Sequence, residues 1–389
     1  MKIFVLILCF FYCGGCWDRK ELKTQGIVAG IGADYVVRNA GKYLYTFQVI
    51  KPGEVAQPKS KGGGGSGDAP VLVGTSEGKT PLEASRNIEF QISRRLFFSH
   101  TQAVVCGKDM ARQGVRPIFD LGLRHVQFRL LTWVLIAKGT AKEVLEVPGD
   151  LEKIPAFHIA GLVTGSKYTS EAIQVTMEDF FGYLISKTRA PVAPQIEVFT
   201  AGKEQRLRLS GTAVFKKDRW VGELNRVETR GLLWVLGLVK GGVVNIPSRP
   251  GVETAAVEVT YAGSRIRPEI RKGKILIRIQ INTEGTLEDI LDQKGLTTPL
   301  KMNEKLHELE KRESAVIRQE IQAAWGKAHR LNADIFGFGE AVHRSYPRRW
   351  KSLESQWDRI FPGITLKIEV NSVLKRIGEI VEPEIPLPK

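Results

Sequence analysis

Residues 254–285, TAAVEVTYAGSRIRPEIRKGKILIRIQINTEG, decide the fold class. Within them TAAVEVTYA (254–262) and ILIRIQINTEG (275–285) read as β-strands. A long helix follows from about residue 298 to 331, opened by Thr298-Pro299. Its Ile317, Ile321, Ala324, Ala328 and Leu331 recur at spacings of 4, 3, 4 and 3, an apolar stripe expected to face its own domain, the alternative being a partner-binding face. Two strands in succession and then one long helix break the alternation of a doubly wound sheet. The rest of the chain is mixed in the same way. It reads as α+β, with mixed sheets flanked by helices in more than one domain.

Towards the C-terminus, PRRWKSLESQWDRIF (347–361) is an amphipathic helix through Trp350, Leu353 and Trp357. GITLKIEVNSVLKRIG (363–378) closes the chain with alternating apolar residues. Towards the N-terminus, LRLSGTAVFK (207–216) is a strand and VETRGLLWVLGL (227–238) a helix. The prolines of KTRAPVAPQIEVFTAGKEQ (187–205) suggest a junction between domains. Further upstream, GIVAGIGADYVVR (26–38) and KYLYTFQVIK (42–51) are strands, the second with Tyr43, Tyr45, Phe47 and Val49 on one face. PVLVGTS (70–76) is a third strand. Thr80-Pro81 then starts a helix through residues 81–98, with Leu82, Ile88, Ile92 and Leu96 on its apolar side. SHTQAVVCGK (99–108) and FRLLTWVLIAK (128–138) are buried strands, and short helices are expected over 116–123, 141–147, 155–163 and 177–186.

The first 22 residues, MKIFVLILCFFYCGGCWDRKEL, have the form of an export signal. Lys2 precedes ten apolar residues (3–12), and small residues lead to Cys16. That run is shorter than the roughly 20 residues needed to cross a bilayer. A redox or zinc reading of Cys13 and Cys16 lacks the strand–helix setting and the further ligands it requires. Cleavage before Cys16 is the arrangement of a bacterial lipoprotein, although Cys13 stands where an aliphatic residue is usual. After cleavage only Cys16 and Cys106 remain, which excludes a disulfide framework. Cys106, in AVVCG, reads as a buried structural thiol.

The net charge is +15, and loss of Lys2 with the signal leaves +14. The basic residues are spread along the chain, and no nucleic-acid-binding motif accompanies them. For an exported chain the counter-charge is a lipid headgroup, or the scattered charge serves solubility alone; no nucleic acid partner is expected.

Motifs for chemistry fail on context. Gly62, Gly64 and Gly67 have dinucleotide-binding spacing but lie in a Gly/Ser/Lys/Pro-rich loop (58–68) that opens no helix. GTSEG (74–78) matches GxSxG, yet the helix expected from Thr80-Pro81 begins too late to serve Ser76, which is expected in a turn. The histidines show no metal-ligand spacing. No catalytic residue, cofactor or metal is assigned.

Five stretches carry a resemblance: GCWDRKEL (15–22), residues 77–114 from EGKTPLEASRNIEF to CGKDMARQG, RLLTWVLIAKGTAKEVLEV (129–147), residues 209–237, and residues 332–378. In this order they resemble the Ger(x)C lipoproteins, the C subunits of spore germinant receptors. His125-Val126 departs from the more acidic turn expected there. The resemblance implies a signal peptide (1–15), an N-terminal domain (16–200) and a C-terminal domain (201–389) with subdomains of about 201–295 and 296–381. It implies S-diacylglycerol and N-acyl lipid on Cys16, at the outer face of the spore inner membrane. It also implies non-catalytic assembly with membrane subunits A and B in a nutrient receptor. The alternative is an exported solute-binding lipoprotein that captures the nutrient itself.

Overall fold

A computed structural model describes residues 24–36, 42–56, 69–124, 127–249, 252–290 and 299–376. The strands are β1 (Gln25–Val36), β2 (Lys42–Ile50), β3 (Val71–Gly78), β4 (Arg95–Phe97), β5 (Ala103–Cys106), β6 (Trp133–Ala137) and β7 (Val192–Ala201). They continue as β8 (Glu204–Lys216), β9 (Arg219–Leu224), β10 (Val243–Arg249), β11 (Val252–Arg271), β12 (Lys274–Ile290) and β13 (Thr365–Arg376). Two mixed sheets with flanking helices confirm the α+β reading.

The first sheet runs β3-β2-β1-β5-β6-β7-β8-β9, with β4 beside the start of β1. Its middle pairs, β1–β5, β5–β6 and β6–β7, are parallel, and its outer pairs are antiparallel. Central parallel strands are covered on both faces, so they are apolar without alternation. AVVC of β5 is buried at all four positions, and Cys106 is a fully buried thiol whose pKa burial pushes up. The covering helices start on side-chain caps. Thr140 and Glu143 form a capping box for Ala141–Glu146, Thr176 and Asp179 for Met177–Ile185, and Asn225 and Glu228 for Arg226–Leu236.

The second sheet is β10-β11-β12-β13. β11 and β12 form one long hairpin that turns at Lys272 (φ 46) and Gly273 (φ 78), two left-handed residues as a tight hairpin turn requires. β13 lies parallel to β12, and the helix Pro299–Leu331 lies in the crossover between them. Ile317, Ile321, Ala324 and Ala328 are wholly buried, as their spacing predicts.

Three expectations change. The helix from Pro81 does begin on Thr80, whose hydroxyl accepts from Glu83 N, but it ends at Ile88. Residues 95–97 instead pair with β1, which puts Leu96 into the core, so strand pairing overrides the helical spacing. Within the proline-containing segment 187–205, residues 192–201 form β7, an inner strand of the first sheet, with Pro194 at an irregular step of the β7–β8 ladder. Ser76 lies inside β3 rather than in a turn; it is buried and donates to Ala84 O at 2.7 Å. His100 sits in the exposed turn before β5, outside any strand.

Candidate functional site

A cleft of about 250 Å³ opens between the two halves of the chain. One wall is the end of the helix Met177–Ile185 and residues 186–191, which lead into β7, with Lys216 and Lys217 where β8 ends. The other wall is residues 332–334 and 354–361 of the C-terminal helical segment.

Asp334 holds the walls in place. Its fully buried carboxylate accepts from Phe338 N (3.0 Å), Gly339 N (2.7 Å) and Trp357 Nε1 (3.1 Å), and its backbone carbonyl accepts from Ala190 N (2.8 Å). Burial pushes the Asp334 carboxyl up to about 6, while the three N–H donors pull it down. Asn332, in the left-handed conformation (φ 48), follows the end of the long helix. Its carbonyl accepts from Lys216 Nζ (3.3 Å), and its amide donates to Asp358 O (3.0 Å). Lys216 also pairs with Asp358 at 3.3 Å, and Lys187 with Glu354 at 3.6 Å. The Arg189 guanidinium lies 4.3 Å from the Tyr183 ring centre. Among the described residues, Arg189 Nε and Nη2 and Asn332 Oδ1 are buried without a hydrogen-bond partner.

The other buried carboxylates serve the fold. Glu320 of the long helix takes Arg230 Nε (2.9 Å) and Trp234 Nε1 (2.8 Å), while Arg230 Nη1 donates to Val243 O (2.7 Å). That network joins the helix Arg226–Leu236 to the long helix and to β10. Asp34 accepts from Ala141 N (2.7 Å) and Lys142 N (3.0 Å) at a helix start; burial raises its carboxyl against those two bonds. Glu313 accepts from the Ser372 hydroxyl of β13, and burial lifts its carboxyl to about 7.

Among the described residues, no group of three or more His, Cys, Asp or Glu is placed to hold a metal. His307 pairs with Glu310, His329 bonds Pro362 O and His343 stacks on Trp350. Cys13, Cys16, the glycine-rich loop 58–68 and His125-Val126 lie outside the described residues. Sequence reading missed Arg189 and Asp334. Arg189 stands among prolines in the segment 187–205, where no local pattern singles it out. Asp334 had one readable signal, a lone acid between apolar neighbours in ADIF.

Comparison with known proteins follows the same order along the chain. Residues 18–198 match the spore germination protein N-terminal domain, and residues 210–378 match the spore germination B3/GerAC-like C-terminal domain. The chain belongs to the Ger(x)C family. Two Ger(x)C relatives from Bacillus subtilis (strain 168) align almost end to end. Spore germination protein KC is 26% identical over 394 residues, covering 96% of this chain and 95% of its own. Spore germination protein B3 is 23% identical over 394 residues, covering 98% and 97%. The crystal structure of the GerBC protein shares the fold, with a TM-score of 0.57 and 18% identity over 89% of this chain and 96% of that one. In this Ger(x)C chain the two matched regions meet inside the first sheet, where β7 pairs with β8.

Proposed function

We propose that the chain is the lipid-anchored C subunit of a nutrient germinant receptor and works by assembling with integral membrane subunits A and B. The near end-to-end match to spore germination proteins carries this reading. The signal-like leader before Cys16 supports the anchor, with S-diacylglycerol and N-acyl groups on that residue. No helix among the described residues is long and apolar enough to cross a membrane. The two chains of a diacylglycerol, at about 0.8 kcal/mol per buried CH₂, hold a protein where one chain is marginal. The site of action is then the outer face of the spore inner membrane. The mature chain divides into domains 16–200 and 201–389, the second with parts at about 201–295 and 296–381, and β8 and β9 extend the sheet of the first. The test is the mass of the mature N-terminal peptide together with recovery of A and B subunits on purifying the protein from spore membranes. Cys16→Ala should abolish the lipid mass and membrane retention in high salt. An unmodified Cys16 peptide from the native protein refutes the reading.

One observation favours direct nutrient capture as a second reading. The Arg189 cleft has convergent polar groups, some of them unpartnered, as a small-ligand site does. Equilibrium binding of amino acids and sugars that disappears in Arg189→Ala would establish it.

A further inference from the structure

The start of β1 marks where the chain arrives from its N-terminus. Nine residue steps separate Cys16 from Gln25, and fully extended they reach at most roughly 32 Å. Whatever surface holds Cys16 is therefore close to this corner of the molecule. Gln25 pairs with Arg95, and Gly26 with Leu96. The turn just before β4 carries Phe90, which is 90% exposed although it is a large aromatic side chain. Arg94 and Arg95 follow it, both exposed and, among the described residues, neither paired with a carboxylate. The neighbouring Glu89 is already engaged: it takes Arg86 Nη1 at 3.1 Å and Leu96 N at 3.2 Å. Beside this turn lies an open groove of about 400 Å³, lined among others by Ile50, Leu72, Ile92 and Arg94.

We infer that this corner is a membrane-facing surface, with Phe90 inserting at the level of the headgroups and Arg94 and Arg95 meeting anionic lipid. The inference rests on the anchor at Cys16 and adds an orientation to it. An exposed aromatic flanked by unpaired cations is what an interfacial contact uses: apolar area enters the acyl boundary while cations sit in the negative surface potential. Tethering brings the surface within reach, so even a weak contact is occupied. The corner at the other end of the parallel strands differs. There β7 turns into β8 at Gly202 and Lys203; Leu151 is exposed near that turn, but the neighbouring cation Arg206 is paired with Asp150 and Glu204.

The chemistry of the chain permits a direct test. In the lipidated protein the Cys16 sulfur is consumed, and Cys106 is fully buried. Phe90→Cys therefore offers a single reactive thiol for an environment-sensitive bimane label. Lys203→Cys offers the same at the far end as a control. Each labelled full-length lipoprotein is reconstituted into phosphatidylglycerol or phosphatidylcholine vesicles containing spin-labelled lipid. Quenching at position 90 should exceed that at position 203 several-fold in phosphatidylglycerol. It should weaken in phosphatidylcholine, and fall to the control level when Arg94→Glu and Arg95→Glu are added. Equal quenching at both positions, in protein that still floats with vesicles in high salt, overturns the surface and leaves the anchor standing. A label at position 90 that is blue-shifted without vesicles and unquenched with them shows that the chain's own residues 17–24 cover Phe90, and also overturns it. Failure to float in high salt removes the anchor, and the inference falls with it.

Discussion

Glu313→Gln gives the sharpest test of how the C-terminal half is held together. Glu313 sits on the long helix, buried against β13, with Ser372 donating to one carboxylate oxygen and, among the described residues, no partner for the other. The carboxylate of Glu310, itself bonded to Leu374 N at 3.0 Å, adds a like charge nearby. Burial first, and Glu310 second, lift the carboxyl from 4.5 to about 7, although the Ser372 bond opposes them. At about 1.4 kcal/mol per pH unit this corresponds to roughly 3 kcal/mol. The sign follows from which state holds the proton. Between pH 4.5 and about 7 the folded protein keeps the proton and the unfolded chain does not. Stability therefore declines as pH rises through that window and levels off above it. Gln cannot ionise, so the difference in unfolding free energy, variant minus wild type, should grow by about 3 kcal/mol from pH 4.5 to pH 8. Asp34 and Asp334 titrate in both proteins and cancel in the difference. The assay is guanidinium unfolding at several pH values, followed by tryptophan fluorescence. Parallel pH profiles for the two proteins would refute the assignment of a buried, protonated Glu313.

Gly231→Ala should destabilise the protein by about 1–3 kcal/mol in thermal or denaturant unfolding, because a Cβ there would press on the Glu320 carbonyl where two helices cross. Glu320→Ala should cost about 3–5 kcal/mol, since it strands the Arg230 guanidinium, only 16% exposed, without its partner. Replacing Arg230 and Glu320 together by Met should recover most of that loss, as a double-mutant cycle would show. Ser76→Ala removes one buried hydroxyl bond to Ala84 O and should cost about 1 kcal/mol in stability without altering the germination response.

The legible parts of the fold are those where local chemistry and tertiary packing agree. Thr80-Pro81 starts a helix on its own cap, and the stripe from Ile317 to Ala328 is buried as its spacing requires. Legibility fails where partners distant in sequence decide. Leu96 fits an apolar helical face, yet the free edge at the start of β1 takes residues 95–97 as a strand. Pro194 looks like a breaker, and only the sheet reveals that its missing N–H falls at an irregular step. The middle of the β11–β12 hairpin was unread because Arg265, Arg267, Glu269 and Arg271 alternate with Ile266, Pro268 and Ile270, and the proline disguises the period of two. At the cleft, Lys216 and Asn332 are brought together by contacts no local pattern encodes. The anchor reading falls on residues outside the described structure and is drawn from the leader sequence before Cys16.

The parallel seam between β12 and β13 also sets an order of events during synthesis. Ile277 finds its neighbour in Leu366, so the second sheet stays incomplete until almost the whole chain is available. Pairings this distant in sequence make for slow folding. Until then β12 presents a bare row of N–H and C=O groups beside Ile275, Ile277, Ile279 and Ile281, a template for another chain to adhere to. A stop codon just before Thr365 would leave that row open permanently. Such a late truncation should behave in the cell as severely as an early one, accumulating as aggregate or being degraded rather than yielding a nearly complete subunit.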